Sequence, residues 1–319
     1  MKLSGEQLLP LFHGYLDYSY DEGTSYVHLH RFLRSQRDAY LARGPKTLRR
    51  CFASANIYLD VVTDSTRLRL SFYARNASAV SYAGFDLYVD GVFADRRFFR
   101  DWRIDEVYFP LPDDGQRHRV TLYLPWSCAV TPGWLELDDD AAFEPVQRAG
   151  RGMVFGDSIT QGYTTLMPSL SYANTLGRDL DAEIINQGAG GFYFDESTLD
   201  PALADYAPEF LVIAYGTNDF SRRVPRGRKG LHRPFSSDFL RKKDLRRSAA
   251  VPQRFQRRRP PAGRVLHLRR GAGNAGRALR RLSRHHRSPR DRHSAHSRGL
   301  CRGLRPPDGF WPSAHRKEP

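Results

Sequence analysis

The chain has 319 residues, with 50 Lys+Arg against 35 Asp+Glu and a formal net charge of +15. That charge averages two opposed regions: residues 1–221 carry 20 basic and 30 acidic side chains, whereas residues 222–319 carry 30 and 5. A polybasic surface for nucleic acid or anionic lipid is thus excluded for the first region. No apolar run approaches the roughly 20 residues that span a bilayer, and three widely spaced cysteines (Cys51, Cys128, Cys301) form neither a disulfide framework nor a metal cluster.

The opening Met1-Lys2-Leu3-Ser4-Gly5-Glu6 has no apolar core of the signal-peptide kind, so a cytoplasmic protein is expected. Residues 1–147 read as β-rich. Arg67 to Ala74 alternates in part, as a half-buried strand does, and Phe85 to Val89 runs into an Asp90-Gly91 turn. His118 to Leu124 and Trp134 to Leu137 add two more strands. Short strands punctuated by Gly, Pro, Asp and Asn predict a β-sandwich. Beyond the acidic run Asp138-Asp139-Asp140 the pattern changes. Met153-Val154-Phe155 predicts a strand ending at Gly156-Asp157-Ser158. Leu170 to Leu180 places Tyr172, Ala173, Leu176 and Leu180 on one helical face. Ile184-Ile185 leads into Gly188-Ala189-Gly190-Gly191, and Phe210 to Tyr215 predicts a buried strand ending at Gly216. Strands alternating with helical stretches predict a doubly wound parallel sheet over 148–221, with its chemistry at the carboxyl ends of the strands.

Residues 222–319 show neither period. They hold 26 arginines and no Ile, Tyr or Met. The one short strand pattern in them is Arg264-Val265-Leu266-His267-Leu268.

A serine at a strand end, followed by a helix, can be exposed as a nucleophile, with the helix dipole favouring a developing anion. Asn218 offers a side-chain amide, and a glycine within 188–191 an unhindered N–H, so the three could cradle the oxyanion of a tetrahedral intermediate. Each feature alone is commonplace: Gly-Asp-Ser is usually a turn or cap, Asn-Asp a loop, Gly-Gly a turn. Their ordered combination is more specific. Gly156-Asp157-Ser158-Ile159-Thr160-Gln161-Gly162, then Asn186-Gln187-Gly188-Ala189-Gly190-Gly191, then Gly216-Thr217-Asn218-Asp219 resembles the SGNH (GDSL-type) hydrolase family. The resemblance implies ester hydrolysis on a flavodoxin-like α/β fold, without metal or cofactor. By position Ser158 matches the nucleophile, Gly191 the backbone oxyanion donor and Asn218 the side-chain donor, with the N–H of Ser158 as a third. Gly84-Phe85-Asp86-Leu87-Tyr88 is similar to the Gly-x-Asp-Leu-Tyr motif of the β-rich domain that precedes one subgroup of these hydrolases. Tyr123-Leu124-Pro125 and Leu135-Glu136-Leu137 are similar to that domain's closing strands. Members with this domain resemble carbohydrate esterases that remove acetyl groups, which implies a small-molecule or carbohydrate ester as the partner of the site.

The resemblance also implies a C-terminal Asp-x-x-His pair, whose His takes the serine proton and whose Asp orients it. No Asp-x-x-His occurs in the sequence. Asp308 and His315 are too far apart, Asp291 and His293 too close, and His13, His28, His30 and His118 lie in the β-rich region, where surface or locally bonded roles are expected. If Arg302 to Pro312 is read one nucleotide later, with Arg as CGN and Leu as CTN, the codons permit Asp-x-x-His-Pro followed by Gly. The same shift makes Val265 to Leu268 a plausible strand. Residues 222–319 therefore read as a frame-shifted hydrolase C-terminus, with the frame changing between residues 222 and 264. The alternative is a genuine disordered, Arg-rich extension able to hold nucleic acid phosphates. A non-catalytic carbohydrate-binding protein with a degenerate hydrolase domain is the alternative to an enzyme.

Overall fold

The computed structural model describes residues 1–100 and 104–221. The Arg-rich segment, with Asp291, His293, Cys301, Asp308 and His315, lies outside the described residues. In chain order the β-rich region contains β1 (Lys2–Ser4), β2 (Phe12–His13), β3 (Asp17–Tyr20), β4 (Val27–His30), α1 (Arg34–Ala42) and α2 (Pro45–Cys51). It continues with β5 (Tyr58–Thr63), β6 (Arg67–Asn76), β7 (Ala83–Val89), β8 (Val92–Phe99), β9 (Glu106–Pro110), β10 (His118–Tyr123), β11 (Cys128–Glu136) and β12 (Phe143–Pro145). The second region contains β13 (Gly150–Gly156), α3 (Ser158–Gln161), α4 (Tyr172–Leu180), β14 (Ala182–Gly188), β15 (Phe210–Ala214) and α5 (Thr217–Ser221).

The partial alternation expected in β6 is present: Leu68, Leu70 and Phe72 are buried and Arg67 and Arg69 are not, although Ser71 is buried as well. The inward residues belong to an antiparallel sheet ordered β1-β11-β6-β9. A second antiparallel sheet, ordered β12-β5-β10-β7-β8 with β2 beside β5, supplies Leu59, Val61, Phe85, Leu87, Val120 and Leu122 to the same core. Phe72 and Phe85 meet across the two sheets at 5.0 Å between ring centroids. Burying each such side chain stabilises the fold by about 1.5–3 kcal/mol. The Asp90-Gly91 pair closes the two-residue β7–β8 hairpin with φ of 51° and 78°, the left-handed pair that matches strand twist.

His13 and His30 are buried rather than at the surface: His13 stacks on Tyr58, and His30 is locally bonded, to Ser19 at 3.0 Å. Burial, assisted by the charges of Arg37 and His28, pushes His30 down to about 3. His28 and His118 are locally bonded as expected, to Asp21 and Tyr73 and to Asp90 and Asp114 respectively.

Antiparallel pairing ends at β12, and from Gly150 the sheet is parallel, in the order β14-β13-β15. Side chains alternate across it. Val154 and Ile184 face Ala173, Tyr172, Leu176 and Leu180 of α4, the apolar stripe read from the sequence. Met153, Phe155 and Ile185 face the other way, onto Leu199, Leu203 and Tyr206 and onto Leu16 and Leu33 of the β-rich region. This is the parallel, helix-flanked sheet expected from the pattern. β15 departs from the expectation of a buried strand, since its residues are half-buried and Ile213 is 47% exposed. Among the described residues it forms the sheet edge.

The Gly-x-Asp-Leu-Tyr motif joins the two regions. Asp86 is fully buried and accepts hydrogen bonds from Arg96 Nε (2.6 Å), Ser169 N (3.0 Å) and Ser169 Oγ (2.6 Å). Tyr88 donates to Ser169 Oγ at 3.3 Å, and the Arg178 guanidinium of α4 lies 5.2 Å from its ring centroid. A strand of the sandwich therefore grips the turn that begins α4. Asp86→Ala leaves a cation and a buried N–H without their acceptor and should cost about 3 kcal/mol. Thermal or denaturant unfolding of the full chain measures this, and an unchanged transition would show that the carboxylate contributes nothing to docking.

Candidate active site

Parallel register places the three motifs at one level. Gly156, last in β13, is opposite Gly188, last in β14, and Ala214, last in β15. The turns that follow carry Ser158, Gly191 and Asn218, so the carboxyl ends of three adjacent strands bring together the residues singled out in the sequence, with the strand bearing Ser158 in the centre.

Ser158 is half-buried at the first position of α3. Asp157 caps this turn, accepting from Ile159 N at 3.0 Å. The helix has only four residues, so it contributes little macrodipole. The helix dipole expected from the sequence is therefore weak at Ser158.

The first and second motifs form one hydrogen-bonded unit. Asn186 Nδ2 donates to Thr160 O at 2.7 Å, and Gly188 N donates to Asn186 Oδ1 at 2.8 Å. Gln161 is buried; its Oε1 accepts from Gly190 N at 2.7 Å and its Nε2 donates to Trp126 O at 3.2 Å. Gly188 must lack a side chain, because a Cβ there would lie 2.6 Å from Gln161 N and 2.8 Å from the Thr160 carbonyl carbon. The turn that carries Ser158 can thus pack directly on the end of β14.

The third motif is tied to the second. Asn218 Nδ2 donates to Phe192 O at 2.7 Å, and Phe194 N donates to Asp219 Oδ1 at 3.2 Å. This holds the Asn218 amide beside the Gly191 turn. Asp157 Oδ2 and Asp219 Oδ2 are both buried without a hydrogen bond. Burial, followed by the negative charges of Asp219 and Asp157, pushes the Tyr215 phenol well above its usual range.

Arginines of the β-rich region, which sequence patterns did not single out, complete the surroundings. Arg31 is fully buried and donates from Nε to Ala53 O (2.6 Å), from Nη1 to Asn186 O and Gly188 O (3.2 Å), and from Nη2 to Arg50 O (3.3 Å). Burial lowers its pKa to about 10, with the neighbouring Cys51 and Tyr40 opposing the shift, so it is cationic at neutral pH. Arg50 Nη1 donates to Gly190 O. Gln36 Nε2 donates to Gln187 Oε1 at 2.8 Å, and Gln187 Nε2 to Arg31 O. Neither arginine sits in a motif, and Arg50 and Gly190 are 140 positions apart, so no local signal could have marked them. Among the described residues no group of three or more His, Cys, Asp or Glu could hold a metal ion, and no helix is long and apolar enough to cross a membrane.

Residues 154–302 match the model of the GDSL-like Lipase/Acylhydrolase family. The match extends past residue 221 into the Arg-rich segment. Among solved structures, the chain is similar to the salicylyl-acyltransferase SsfX3 from a tetracycline biosynthetic pathway, with a TM-score of 0.58 and 20% identity over 69% of this chain and 65% of that one. It is similar to a structure described as a GDSL-like lipase from Bacteroides ovatus, with a TM-score of 0.53 and 20% identity over 78% and 71% of the two chains. A family two carbohydrate esterase from Cellvibrio japonicus aligns with a TM-score of 0.45 and 17% identity over 69% and 68%. The chain thus spans 65% of the acyltransferase's length, and at these identities the likeness is one of fold. No curated protein matches the chain.

The Gly188→Ala substitution tests the interlock of the first two motifs. Overpacking there should cost about 1–3 kcal/mol, read as a lowered melting temperature, with loss of any Ser158-dependent turnover. A variant as stable as the parent would mean that α3 can move away from β14 freely.

Proposed function

We propose that this chain is a serine esterase in which Ser158 attacks an acyl carbonyl. The oxyanion is held by the N–H groups of Ser158 and Gly191 and by the Asn218 side-chain amide. The observation that carries this reading is the convergence of the three motif turns at the ends of three adjacent, registered parallel strands. Attack forms a C–O bond from Ser158 Oγ, moves the carbonyl electrons onto oxygen and gives the hydroxyl proton to solvent water in place of a histidine. Collapse breaks the ester C–O bond, the departing oxygen takes a proton back from water to leave as the alcohol, and a second water cleaves the acyl-serine to the acid and free Ser158. The bonds made and broken involve protein groups, substrate and water alone. We take the acyl group to be small, acetyl in the first instance, and the alcohol to be a carbohydrate hydroxyl. The Gly-x-Asp-Leu-Tyr sandwich, packed on the hydrolase turn through Asp86, supports that choice.

The chain as written lacks the Asp-x-x-His base, so turnover is expected to be weak. Removing one triad member in a serine protease still leaves roughly 10³–10⁴-fold catalysis over water. Hydrolysis of p-nitrophenyl acetate by the full chain should be measurable above the buffer rate and should vanish in Ser158→Ala. Equal turnover in the variant would mean that Ser158 is not the nucleophile. The missing base also favours a second reading, a carbohydrate-binding protein whose hydrolase domain is degenerate. Retention on acetylated polysaccharide with no Ser158-dependent turnover is the result that would select it.

We further infer that the reading frame changes between residues 222 and 264. The segment carries 26 arginines and no Ile, Tyr or Met, a composition unlike that of a foldable α/β half-domain. Re-sequencing the coding DNA from codon 215 onward should find a one-base change that restores Asp-x-x-His-Pro in frame. Codons at 302–306 unable to encode Asp-x-x-His in the shifted frame would overturn the inference. The segment would then be a genuine phosphate-binding extension whose hold on nucleic acid falls steeply with salt.

A further inference from the structure

We propose that Arg50, contributed by α2 of the β-rich region, is a positioning residue that aims and polarises the Gly191 N–H. The inference rests on the esterase reading above for its consequence, but its geometry stands apart from it. Gly190 and Gly191 share one peptide unit. In a planar trans peptide the C=O and the following N–H point in opposite directions. Arg50 Nη1 donates to Gly190 O, so the guanidinium occupies one side of that unit and the Gly191 N–H is directed to the other. A cation on the carbonyl oxygen draws electron density through the amide and makes its N–H a stronger donor. On the preceding peptide, Gly190 N is committed to Gln161 Oε1 at 2.7 Å. The turn is therefore pinned at both faces of Gly190, by the nucleophile motif on one side and by the β-rich region on the other.

The placement of Arg50 is itself specified. Its backbone carbonyl accepts from Arg31 Nη2 at 3.3 Å, and Arg31 in turn holds Gly188 O. Its Nε is buried without a hydrogen bond, so its polar placement is set by Nη1 on Gly190. Gly191 has a φ of 70°, which favours glycine there whatever surrounds it, and a Cβ would lie 2.6 Å from Arg50 Nη1, the movable end of that side chain. Because Arg50 acts through a backbone amide, its loss should weaken the charge-developing step and leave the encounter with substrate unchanged.

The test uses the full chain and three variants: Arg50→Met, which keeps the apolar stem and removes the charge, Arg50→Lys, and Ser158→Ala. Residues 190–191 are the one Gly-Gly pair in the sequence. Protein labelled with carbonyl-¹³C, ¹⁵N-glycine therefore gives a single correlation linking the Gly190 carbonyl to the Gly191 amide, whether or not the protein turns over. In Arg50→Met that carbonyl should move upfield, with the Gly191 nitrogen following, and Arg50→Lys should lie between. In p-nitrophenyl acetate hydrolysis, Arg50→Met should lower kcat by about 10-fold or more, short of the 10²–10³ lost when an oxyanion donor is deleted outright. KM should stay within about twofold, and Arg50→Lys or added guanidinium should restore part of the rate. An unmoved correlation in Arg50→Met, or an unchanged kcat in that variant while Ser158→Ala abolishes turnover, overturns the proposal. If Ser158→Ala leaves turnover intact, the esterase reading falls. The labelled spectrum then still decides whether Arg50 holds the peptide.

Discussion

Strand β14 has one edge paired to β13, and the fold depends on what is done with its carbonyls on the other side. Alternate residues of a strand project their carbonyls to the same side. Ile184 O accepts from Asn56 Nδ2 at 2.9 Å, Asn186 O and Gly188 O from Arg31, and Gly190 O, in the turn beyond, from Arg50. Three side chains of the β-rich region thus do what the N–H groups of a neighbouring strand would otherwise do. An unpaired strand edge is a site of adventitious pairing, and buried carbonyls without donors are costly. Covering the edge with side chains removes both problems and fixes the β14 end against the sandwich.

The choice of arginine has an electrostatic consequence. A buried guanidinium whose hydrogen bonds go to carbonyl and amide oxygens brings its positive charge without a carboxylate to cancel it. Burial costs Arg31 part of its proton affinity but leaves it charged at neutral pH. Its charge and that of Arg50 sit behind the Gly188–Gly191 turn, on the carbonyl side. In the proposed acyl transfer, the Gly191 N–H, which faces away from Arg50, is the one in this turn that would meet negative charge. Apolar packing reinforces the alignment: Phe32, Tyr40 and Cys51 form one small core with Ala189 and Phe192. The β-rich region is therefore part of the wall that shapes the site, not an appended module.

Much of this was legible along the chain. The Leu68, Leu70, Phe72 alternation, the Asp90-Gly91 turn and the α4 stripe of Tyr172, Ala173, Leu176 and Leu180 are local patterns, and local patterns are set by backbone periodicity. The three glycine-containing motifs were legible for a related reason. Their residue types answer to close approach, as Gly188 against Gln161 shows, and close approach tolerates few alternatives. What misled was burial: the apolar run Phe210 to Tyr215 reads as a covered strand, but coverage is supplied by neighbours, and β15 is an edge among the described residues. Which of the two expected settings, surface or local bonding, applies to His13 and His30 was not legible, since a histidine's exposure depends on what packs above it.

The sequence by itself determined the strands named from their patterns, the α4 stripe, the hairpin turn, the order of the three motifs and the absence of an Asp-x-x-His pair, though not α1 and α2, because each is a matter of periodicity, turn chemistry or simple presence. Only the tertiary structure decided that Asp86 grips Ser169, that Arg31 and Asn56 close the β14 edge, and that Arg50 stands behind the Gly190–Gly191 peptide. Those contacts join positions 83 to 157 residues apart. Their donors are ordinary polar side chains that could face solvent anywhere. What selects them is the requirement that a buried carbonyl or carboxylate find a donor, and that requirement arises only once the chain has folded and water has left.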